Sequence, residues 1–412
     1  MSQILTGSDW SARMITPPME LGTAPLFRKE VVLDAGHGDV VSAGLRMSSL
    51  GIFEARLNGR PVGEDVLSPG WSAYEWRLRY RTYDVTSLLE ETTVLTVGVG
   101  NGWYRGRLGF MGARALYGDR LGVIAELEIT FADGHRQRVE TDRSWTAGGS
   151  DVLADDLYDG QTIDAGRRSP AWFTPGVQPE GFHPVKTLDF ETSLLAPYLG
   201  PAVTRQETLR PVRVWRSPSG RTLVDFGQNL VGWLRFTVRG PVGAEIRIRH
   251  AEVLEHEELG VRPLRDAQAT DRFILSGGDD FFEPTMTFHG FQYAEVTGWP
   301  SDTCGELTAD SLEAVVVHSD LRRTGTFECS DPLVNQLHHN VVWGTKGNFL
   351  DVPTDCPQRN ERLGWTGDIA VFAPPAAFLF DVAPFLSDWL VDVALEQSAA
   401  DGMVPFVVPD IL

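Results

Sequence analysis

A change from strand patterns to helix patterns near residue 320 constrains the fold of this chain most. Up to about residue 318, short segments in which polar and apolar residues alternate are separated by turn signals such as Asn58-Gly59. Alternation with a period of two predicts half-buried strands, and many short strands with regular turns predict β-sandwiches. From about residue 320 the apolar residues recur at helical spacing, beginning at Asp331-Pro332, a pair typical of a helix N-terminus. The sequence therefore predicts a mainly β, multidomain chain that ends in helices.

These patterns also divide the chain into domains. A chain of 412 residues is long enough for two or three domains, each with its own core. Residues 1–25 are predicted to be an irregular lead-in. We predict a first, jelly-roll-like β-sandwich in residues 26–190 and a second in residues 206–318. Residues 320–412 would form the first helices and an acidic loop of a helical domain.

Charge and cysteine content exclude several classes of partner. The 36 Lys and Arg residues against 56 Asp and Glu residues give a net charge of −20, which disfavours nucleic acid and anionic membranes. The three cysteines show no disulfide or metal-ligand spacing, and such sparse use fits a reducing compartment. The first residues lack the features of a secretory signal. We therefore expect a cytoplasmic protein without nucleic-acid or membrane partners, and the sequence leaves open whether it forms an oligomer.

Residues 351–368 carry most of the chemistry in the sequence. This stretch contains four carboxylates, two arginines and one tryptophan, and its two prolines and two glycines interrupt any helix. Apolar segments flank it on both sides, at residues 332–343 and 369–380. An acidic loop between two packed segments is a suitable place for a polar-ligand site.

The residue types in this loop are those that sugar chemistry requires. Cleavage of a glycosidic bond needs a protonated carboxyl beside the leaving oxygen and a second carboxylate near the anomeric carbon. Additional carboxylates and arginines hydrogen-bond the ring hydroxyls, and an aromatic face stacks on the sugar. On these residues alone, a solvated acidic turn that begins a helix remains the alternative.

The run from Asp355 to Asp368, DCPQRNERLGWTGD, resembles the signature of the α-L-rhamnosidases of glycoside hydrolase family 78. The resemblance implies that Glu361 is the general acid of an inverting hydrolysis. It further implies that Asp355, Arg359 and Asp368 bind the sugar and that Trp365 stacks on it. Phrases in both predicted sandwiches also match the family, so the resemblance covers nearly the whole chain.

The family pattern has further implications for this chain. Asn360 stands where the family commonly has Asp, and we expect this difference to tune the site because the neighbouring Glu361 is the acid. The family's catalytic domain is an (α/α)6 barrel of several hundred residues, with the general-base Glu in its later helices. The resemblance therefore predicts a truncated barrel, a base beyond residue 412 and an inactive fragment in residues 1–412. The chemistry requires no metal or organic cofactor.

Three other groups of residues could have functional roles. Aromatic clusters around Trp71 and Trp103 are expected to be packed loop corners, with a lectin-like sugar site as the alternative. The acidic stretch 155–160 is expected to be a polar turn or an edge of the active-site cleft, because its spacing does not fit an EF-hand calcium loop. His250 and His256 are not expected to bind a metal.

The resemblance implies hydrolysis of terminal non-reducing α-L-rhamnose from small-molecule or oligosaccharide rhamnosides. Three alternatives stay open at this point. The chain could be a non-catalytic carbohydrate-binding protein, a glycosidase for another sugar, or a scaffold that buries its helices against a partner. The sequence does not determine the aglycone or the linkage.

Overall fold

A computed structural model describes residues 10–412, so the first nine residues of the predicted lead-in lie outside the described residues. Strands dominate the described chain as far as Ser319, and three long helices follow. The predicted mainly β architecture is confirmed, as is the change to helices after residue 320.

The elements are numbered here in chain order. The first strands are β1 (Ile15–Thr16), β2 (Pro25–Val32), β3 (Val40–Leu50), β4 (Ile52–Leu57), β5 (Arg60–Pro61), β6 (Leu78–Asp84), β7 (Thr92–Gly100), β8 (Arg107–Leu108), β9 (Ala113–Arg114), β10 (Gly122–Phe131), β11 (Arg136–Glu140), β12 (Thr146–Gly149), β13 (Val152–Asp156), β14 (Gly160–Asp164), β15 (His183–Pro184), β16 (Lys186–Thr187) and β17 (Leu195–Pro197). The later strands are β18 (Val203–Leu209), β19 (Arg213–Arg216), β20 (Thr222–Arg239), β21 (Glu245–Ala251), β22 (Val253–Glu255), β23 (Glu258–Gly260), β24 (Thr270–Ile274), β25 (Asp279–Phe282), β26 (His289–Thr297), β27 (Glu313–Ser319), β28 (Phe349–Leu350) and β29 (Val352–Pro353). The helices are α1 (Gly102–Arg105), α2 (Ser301–Cys304), α3 (Pro332–Asn348), α4 (Thr366–Leu379) and α5 (Ala383–Ala399).

Two sheets from the first part of the chain pack face to face. The first has seven strands in the order β16-β1-β10-β3-β6-β17, with β11 on β10, and the second has six strands in the order β15-β12-β2-β7-β4-β5. Their shared core includes Leu45 and Ile129 from the first sheet and Phe27 and Val97 from the second. Successive side chains of a strand point to opposite faces, so the alternating sequence buries one face of each sheet.

A third sheet contains ten strands in the order β13-β14-β24-β21-β26-β20-β27-β18, with β19 and β25 also paired to β20. It encloses a core of its own, to which Ala314 and Val316 of β27 contribute. Val315 and Val317 of the same strand point to the other face and belong to the core that also contains Val342 of α3. The opposite face of this sheet therefore supports the helical part of the chain.

Strand pairing assigns one segment differently from the sequence analysis. Strands β13 and β14 fall in the predicted first sandwich, yet β14 pairs in parallel with β24 of the third sheet, where Thr162 lies opposite Arg272. Strands β15, β16 and β17 then return to the first two sheets. Turn signals and alternation identify strands but not their neighbours, because parallel pairing joins residues far apart in sequence. The domain limits stay a prediction.

Helix α3 begins where the sequence predicts, whereas α4 begins at Thr366, within the stretch predicted to interrupt any helix. The Asp331 side chain accepts a hydrogen bond from Leu333 N at 2.9 Å and so caps α3, with Pro332 in its first turn. The predicted apolar face of α3 is only partly buried, because Leu333 and Leu337 are exposed. Among the described residues, no helix has the length and apolar content needed to span a membrane. The cytoplasmic location stays a prediction.

Buried charged groups join the first sheet to α5. Arg79 of β6 donates to Asp388, and Arg77, just before β6, donates to Asp392 at 2.6 Å. Arg79 also donates to Asp351, at the start of the acidic loop. All of these side chains are almost completely buried. The acidic loop is thereby fixed relative to both the β sheets and the helices.

Candidate active site

The acidic loop starts with a tight hairpin between β28 and β29. Asp351 occupies the turn with a φ of +69° and is 4% exposed. Its carboxylate accepts hydrogen bonds from Tyr198 Oη at 2.9 Å, from Arg79 and from the backbone of Trp71. Of the four carboxylates in the loop, Asp351 is therefore a structural anchor.

The remainder of the loop is closed by reciprocal bonds between Asp355 and Leu363. The backbone of Asp355 donates to the carbonyl of Leu363, and Leu363 N donates to Asp355 Oδ1, each at 3.1 Å. Gly364 then lies so close to the 401–409 segment that a Cβ there would be 2.2 Å from the Val408 carbonyl oxygen. Position 364 therefore needs glycine because the two backbone segments approach closely there. This is a second role for Gly364, besides the interruption of a helix that the sequence predicts.

Three of the five predicted site residues come together. Arg359 Nε donates to Glu361 Oε2 at 3.0 Å, and Arg359 Nη2 donates to Asp355 Oδ2 at 3.3 Å. The Glu361 side chain is 10% exposed and that of Arg359 is 30% exposed. One guanidinium therefore bridges two carboxylates at the edge of solvent, where an incoming ligand can reach it.

The environment of Asp355 raises the pKa of its carboxyl above the ordinary value. Burial, with a smaller effect of the neighbouring Glu361 carboxylate, raises this pKa, against the opposing effects of hydrogen bonds from Cys356 and Leu363 and of the Arg359 charge. The adjacent Cys356 thiol is buried, and burial together with Asp355 raises its pKa to about 12. Asp355, Cys356 and Glu361 have ligand atoms within 4.8 Å of one another, but Arg359 already contacts both carboxylates. A cation in that position disfavours a metal ion.

The other two predicted site residues lie at the start of α4. Trp365 is half-buried immediately before the helix, and Asp368 is exposed in its first turn. In the described part of the chain, neither forms a hydrogen bond or an ion pair with Glu361, Arg359 or Asp355. Their role in binding sugar stays a prediction.

Two residues that the sequence analysis did not assign to the site contact Glu361 directly. Tyr158 Oη donates to the backbone carbonyl of Glu361 at 2.6 Å, and Arg265 Nη1 donates to Glu361 Oε2 at 3.0 Å. Tyr158 lies in the acidic stretch that was expected to be a polar turn or an edge of the cleft. It is a polar turn, because Asp156 accepts hydrogen bonds from the backbone of Tyr158 and Asp159. No local pattern marks Arg265, which follows a single 3-10 turn.

The aromatic clusters of the first sandwich form a packed corner, as expected for Trp71 and Trp103. Their rings stack with centroids 6.3 Å apart, and Trp71 Nε1 donates to Tyr117 Oη at 3.1 Å. Trp71 is completely buried and Trp103 nearly so. These rings fill the core and present no face to a sugar.

In the third sheet, His250 is grouped with His289 and not with His256, the residue considered beside it in the sequence analysis. His250 lies near Asp271 and His289, and their ligand atoms fall within 4.8 Å of one another, whereas His256 is not part of the group. The His250 and His289 rings stack with centroids 4.2 Å apart and planes 15° apart. A metal ion must lie in the ring plane of each histidine ligand, so this stacked arrangement disfavours one.

Comparison with known proteins covers almost the entire chain. The α-L-rhamnosidase N-terminal domain matches residues 38–207, the bacterial α-L-rhamnosidase concanavalin-like domain matches residues 215–318, and the bacterial α-L-rhamnosidase six-hairpin glycosidase domain matches residues 322–412. An α-L-rhamnosidase of Streptomyces avermitilis is 41% identical over 90% of this chain, and one of Formosa agariphila is 34% identical over 99% of it. The chain spans only 36% and 45% of the length of these two relatives.

Solved structures agree with these matches. The native α-L-rhamnosidase of Aspergillus terreus superposes with a TM-score of 0.95 and 44% identity, over 99% of this chain and 48% of that one. The Streptomyces avermitilis α-L-rhamnosidase, solved in complex with L-rhamnose, superposes with a TM-score of 0.90 and 40% identity, over 95% of this chain and 38% of that one. Three α-L-rhamnosidase domain models match successive parts of the chain, and the solved structures agree with them, so the chain belongs to the bacterial α-L-rhamnosidases of glycoside hydrolase family 78.

Proposed function

We propose that the complete protein hydrolyses terminal non-reducing α-L-rhamnosides with inversion, and that Glu361 is the general acid. The observation that carries this proposal is the placement of Glu361. Its carboxyl is nearly buried at the edge of solvent, beside a second carboxylate and a shared guanidinium. The rhamnose complex of the Streptomyces avermitilis relative supports the choice of sugar.

The contacts of Glu361 distinguish its two carboxyl oxygens. Arg359 and Arg265 both donate to Oε2. The proton that the acid delivers to the glycosidic oxygen would therefore reside on Oε1. Asp355, Arg359 and Asp368 would bind the rhamnose hydroxyls, and Trp365 would pack against the ring or its C5 methyl group.

Asp355 is a poor candidate for the second catalytic carboxylate. One of its oxygens lies within 4.8 Å of a Glu361 oxygen, whereas an inverting pair is separated by roughly 6.5–9.5 Å to admit water. A retaining pair is roughly 5–5.5 Å apart, but the space between these two carboxylates is occupied by Arg359, so an anomeric carbon has no room there. The resemblance to the family supports a general base beyond residue 412, in a later helix.

The helical part of the chain would be the beginning of an (α/α)6 barrel that follows two β-sandwiches. Its three long helices carry apolar side chains in solvent, including Leu333, Val371 and Leu390, which are 78%, 80% and 52% exposed. Such side chains normally pack against neighbouring helices. The greater length of the relatives supports further helices that would cover them.

The test is hydrolysis of aryl and alkyl α-L-rhamnosides by the complete protein and its Glu361→Gln variant. General acid catalysis contributes about 10²–10⁴-fold, and we expect a loss of this size on the alkyl substrate. The matched control is Glu306→Gln, at a side chain that is 76% exposed, which should retain full activity. Wild-type protein that is inert on rhamnosides, or Glu361→Gln protein that is fully active, would refute the proposal.

A further inference from the structure

Glu361 is held by the β-rich part of the chain at two separate points. Tyr158 Oη donates to its backbone carbonyl at 2.6 Å, and Arg265 Nη1 donates to its side-chain Oε2 at 3.0 Å. Tyr158 precedes Glu361 by 203 residues and Arg265 precedes it by 96. Both the backbone and the carboxyl of the proposed acid therefore depend on residues outside the helical part.

Tyr158 is itself rigidly placed. Its side chain is completely buried, and its hydroxyl also accepts a hydrogen bond from Gly109 N at 2.9 Å. Burial raises the pKa of the Tyr158 phenol well above its usual range, so its O–H remains a donor to Glu361 at any working pH. A donor fixed in this way holds the Glu361 carbonyl in one place.

The residue after the acid is locked into the same region. Arg362 has a φ of +52° and lies between the rings of Tyr158 and Phe288, with its guanidinium carbon 4.9 and 4.8 Å from their centroids. Arg362 Nη1 also donates to the carbonyls of Leu157 at 2.7 Å and of Phe288 at 2.8 Å. The backbone of residues 361 and 362 therefore has little freedom to rotate.

Arg265 reaches Glu361 from an unusual backbone conformation. Arg265 follows the 3-10 turn Arg262–Leu264 and has a φ of +56° and a ψ of −116°. Residues other than glycine rarely adopt this backbone conformation. Such conformations cluster at functional sites, where the surrounding structure maintains them. The Arg265 side chain is 47% exposed, yet its guanidinium forms an ion pair with the Glu361 side chain, which is only 10% exposed.

We propose that Tyr158 and Arg265 are positioning residues for the acid: they fix the Glu361 backbone and its Oε2, so that Oε1 faces the glycosidic oxygen. This inference rests on the proposed role of Glu361. It makes the β-rich part a component of the active site, with residues that set the acid in place. Proton delivery is sensitive to such placement, because a displacement of about 1 Å can cost about 10²-fold in rate.

A positioning role has a distinct kinetic signature. A poor leaving group, such as an alkoxide, needs the acid's proton, whereas a nitrophenolate departs with little help. Misplacing the acid should therefore lower kcat on an alkyl rhamnoside far more than on nitrophenyl rhamnoside. KM should change little, because neither residue is assigned to the sugar. A general loss of folding or of sugar binding would affect the two substrates equally.

The experiment compares Tyr158→Phe, Arg265→Gln and Arg265→Lys in the complete protein, on both substrates. We expect kcat on the alkyl rhamnoside to fall about 10–100-fold in Tyr158→Phe and Arg265→Gln, with a loss below about threefold on nitrophenyl rhamnoside. Arg265→Lys keeps the positive charge and should recover part of the loss. The matched control is Arg262→Gln, in the same 3-10 turn, whose side chain is 84% exposed and pairs with Glu255. It should behave like wild type.

The outcomes separate this inference from the proposed function. Suppose that Glu361→Gln loses activity, but Tyr158→Phe and Arg265→Gln behave like the control Arg262→Gln. The role of Glu361 as the general acid is then supported, and the positioning role of Tyr158 and Arg265 is overturned. Equal losses on both substrates would also overturn it. If Glu361→Gln is fully active, the proposed function itself fails. The unfolding temperature of each variant, expected to match wild type within a few degrees, identifies any loss that comes from misfolding.

Discussion

Arg79 Nη1 lies 2.7 Å from Asp388 Oδ2, in a position where both side chains are at most 3% exposed. This ion pair links β6 of the first sheet to α5, across 309 residues of sequence. The second terminal nitrogen of Arg79 donates to Asp351 at the start of the acidic loop. One arginine thus connects the sheet, the helices and the candidate active site.

Removing this arginine should destabilise the protein strongly. In Arg79→Met, Asp351 and Asp388 would lose a buried cationic partner, and breaking a buried pair typically costs about 3–5 kcal/mol. Urea or thermal unfolding measures this change. Arg136→Met is the control, because Arg136 is 65% exposed and pairs with Glu128 at the surface, where a change below about 1 kcal/mol is expected. Equal stability of the two variants would contradict a structural role for Arg79.

The buried Glu396 on α5 should make stability depend on pH. Burial raises the pKa of Glu396 from 4.5 to about 7. A carboxyl with a raised pKa in the folded state stabilises the fold below its unfolded pKa, and this contribution is lost as the pH rises through the folded pKa. The contribution of Glu396 to stability should therefore be lost between about pH 4.5 and 7, so that Glu396→Gln gains stability relative to wild type as the pH rises through this range. Identical pH profiles for the two proteins, measured by thermal unfolding, would rule out this role.

The parts of the fold that local chemistry determines were predictable from the sequence. Alternation predicted a chain rich in strands up to about residue 318, and the Asp331-Pro332 pair located the beginning of α3. The pairing of β14 with β24 was not predictable, because a parallel neighbour over a hundred residues away leaves no local signal. For the same reason, the burial of the charged side chains Arg77 and Arg79 could not be predicted from local patterns.

The candidate site was predictable to the extent that it lies in one continuous motif. Asp355, Arg359 and Glu361 contact one another because the loop between them is short and closed on itself. Arg265 and Tyr158 reach Glu361 from other parts of the chain, and only the tertiary fold brings them there. Contacts of this kind depend on packing between sheets and helices, which single residues do not encode.

Two glycines in the acidic loop should respond oppositely to the same substitution. A Cβ at Gly364 would lie 2.2 Å from the Val408 carbonyl oxygen, whereas a Cβ at Gly367 meets no atom within 4 Å. Gly364→Ala should therefore destabilise the protein by about 1–3 kcal/mol and displace the loop. Gly367→Ala, in the first turn of α4, should be neutral or stabilising by up to about 1 kcal/mol, because alanine favours helix. Chemical unfolding distinguishes them, and equal effects would show that the loop does not need the close approach.

The stereochemistry of the product tests the place of Asp355 in the reaction. Arg359 bridges Asp355 and Glu361. Under the proposed mechanism this keeps Asp355 from attacking the anomeric carbon, and water attacks instead. Proton NMR during early turnover of an α-L-rhamnoside by the complete protein should therefore show β-L-rhamnose first. Asp355→Asn should lower kcat/KM through a lost sugar contact and leave this stereochemistry unchanged. An α-anomer as the first product, together with an inactive Asp355→Asn variant, would instead make Asp355 a nucleophile and would require Arg359 to move aside when the sugar binds.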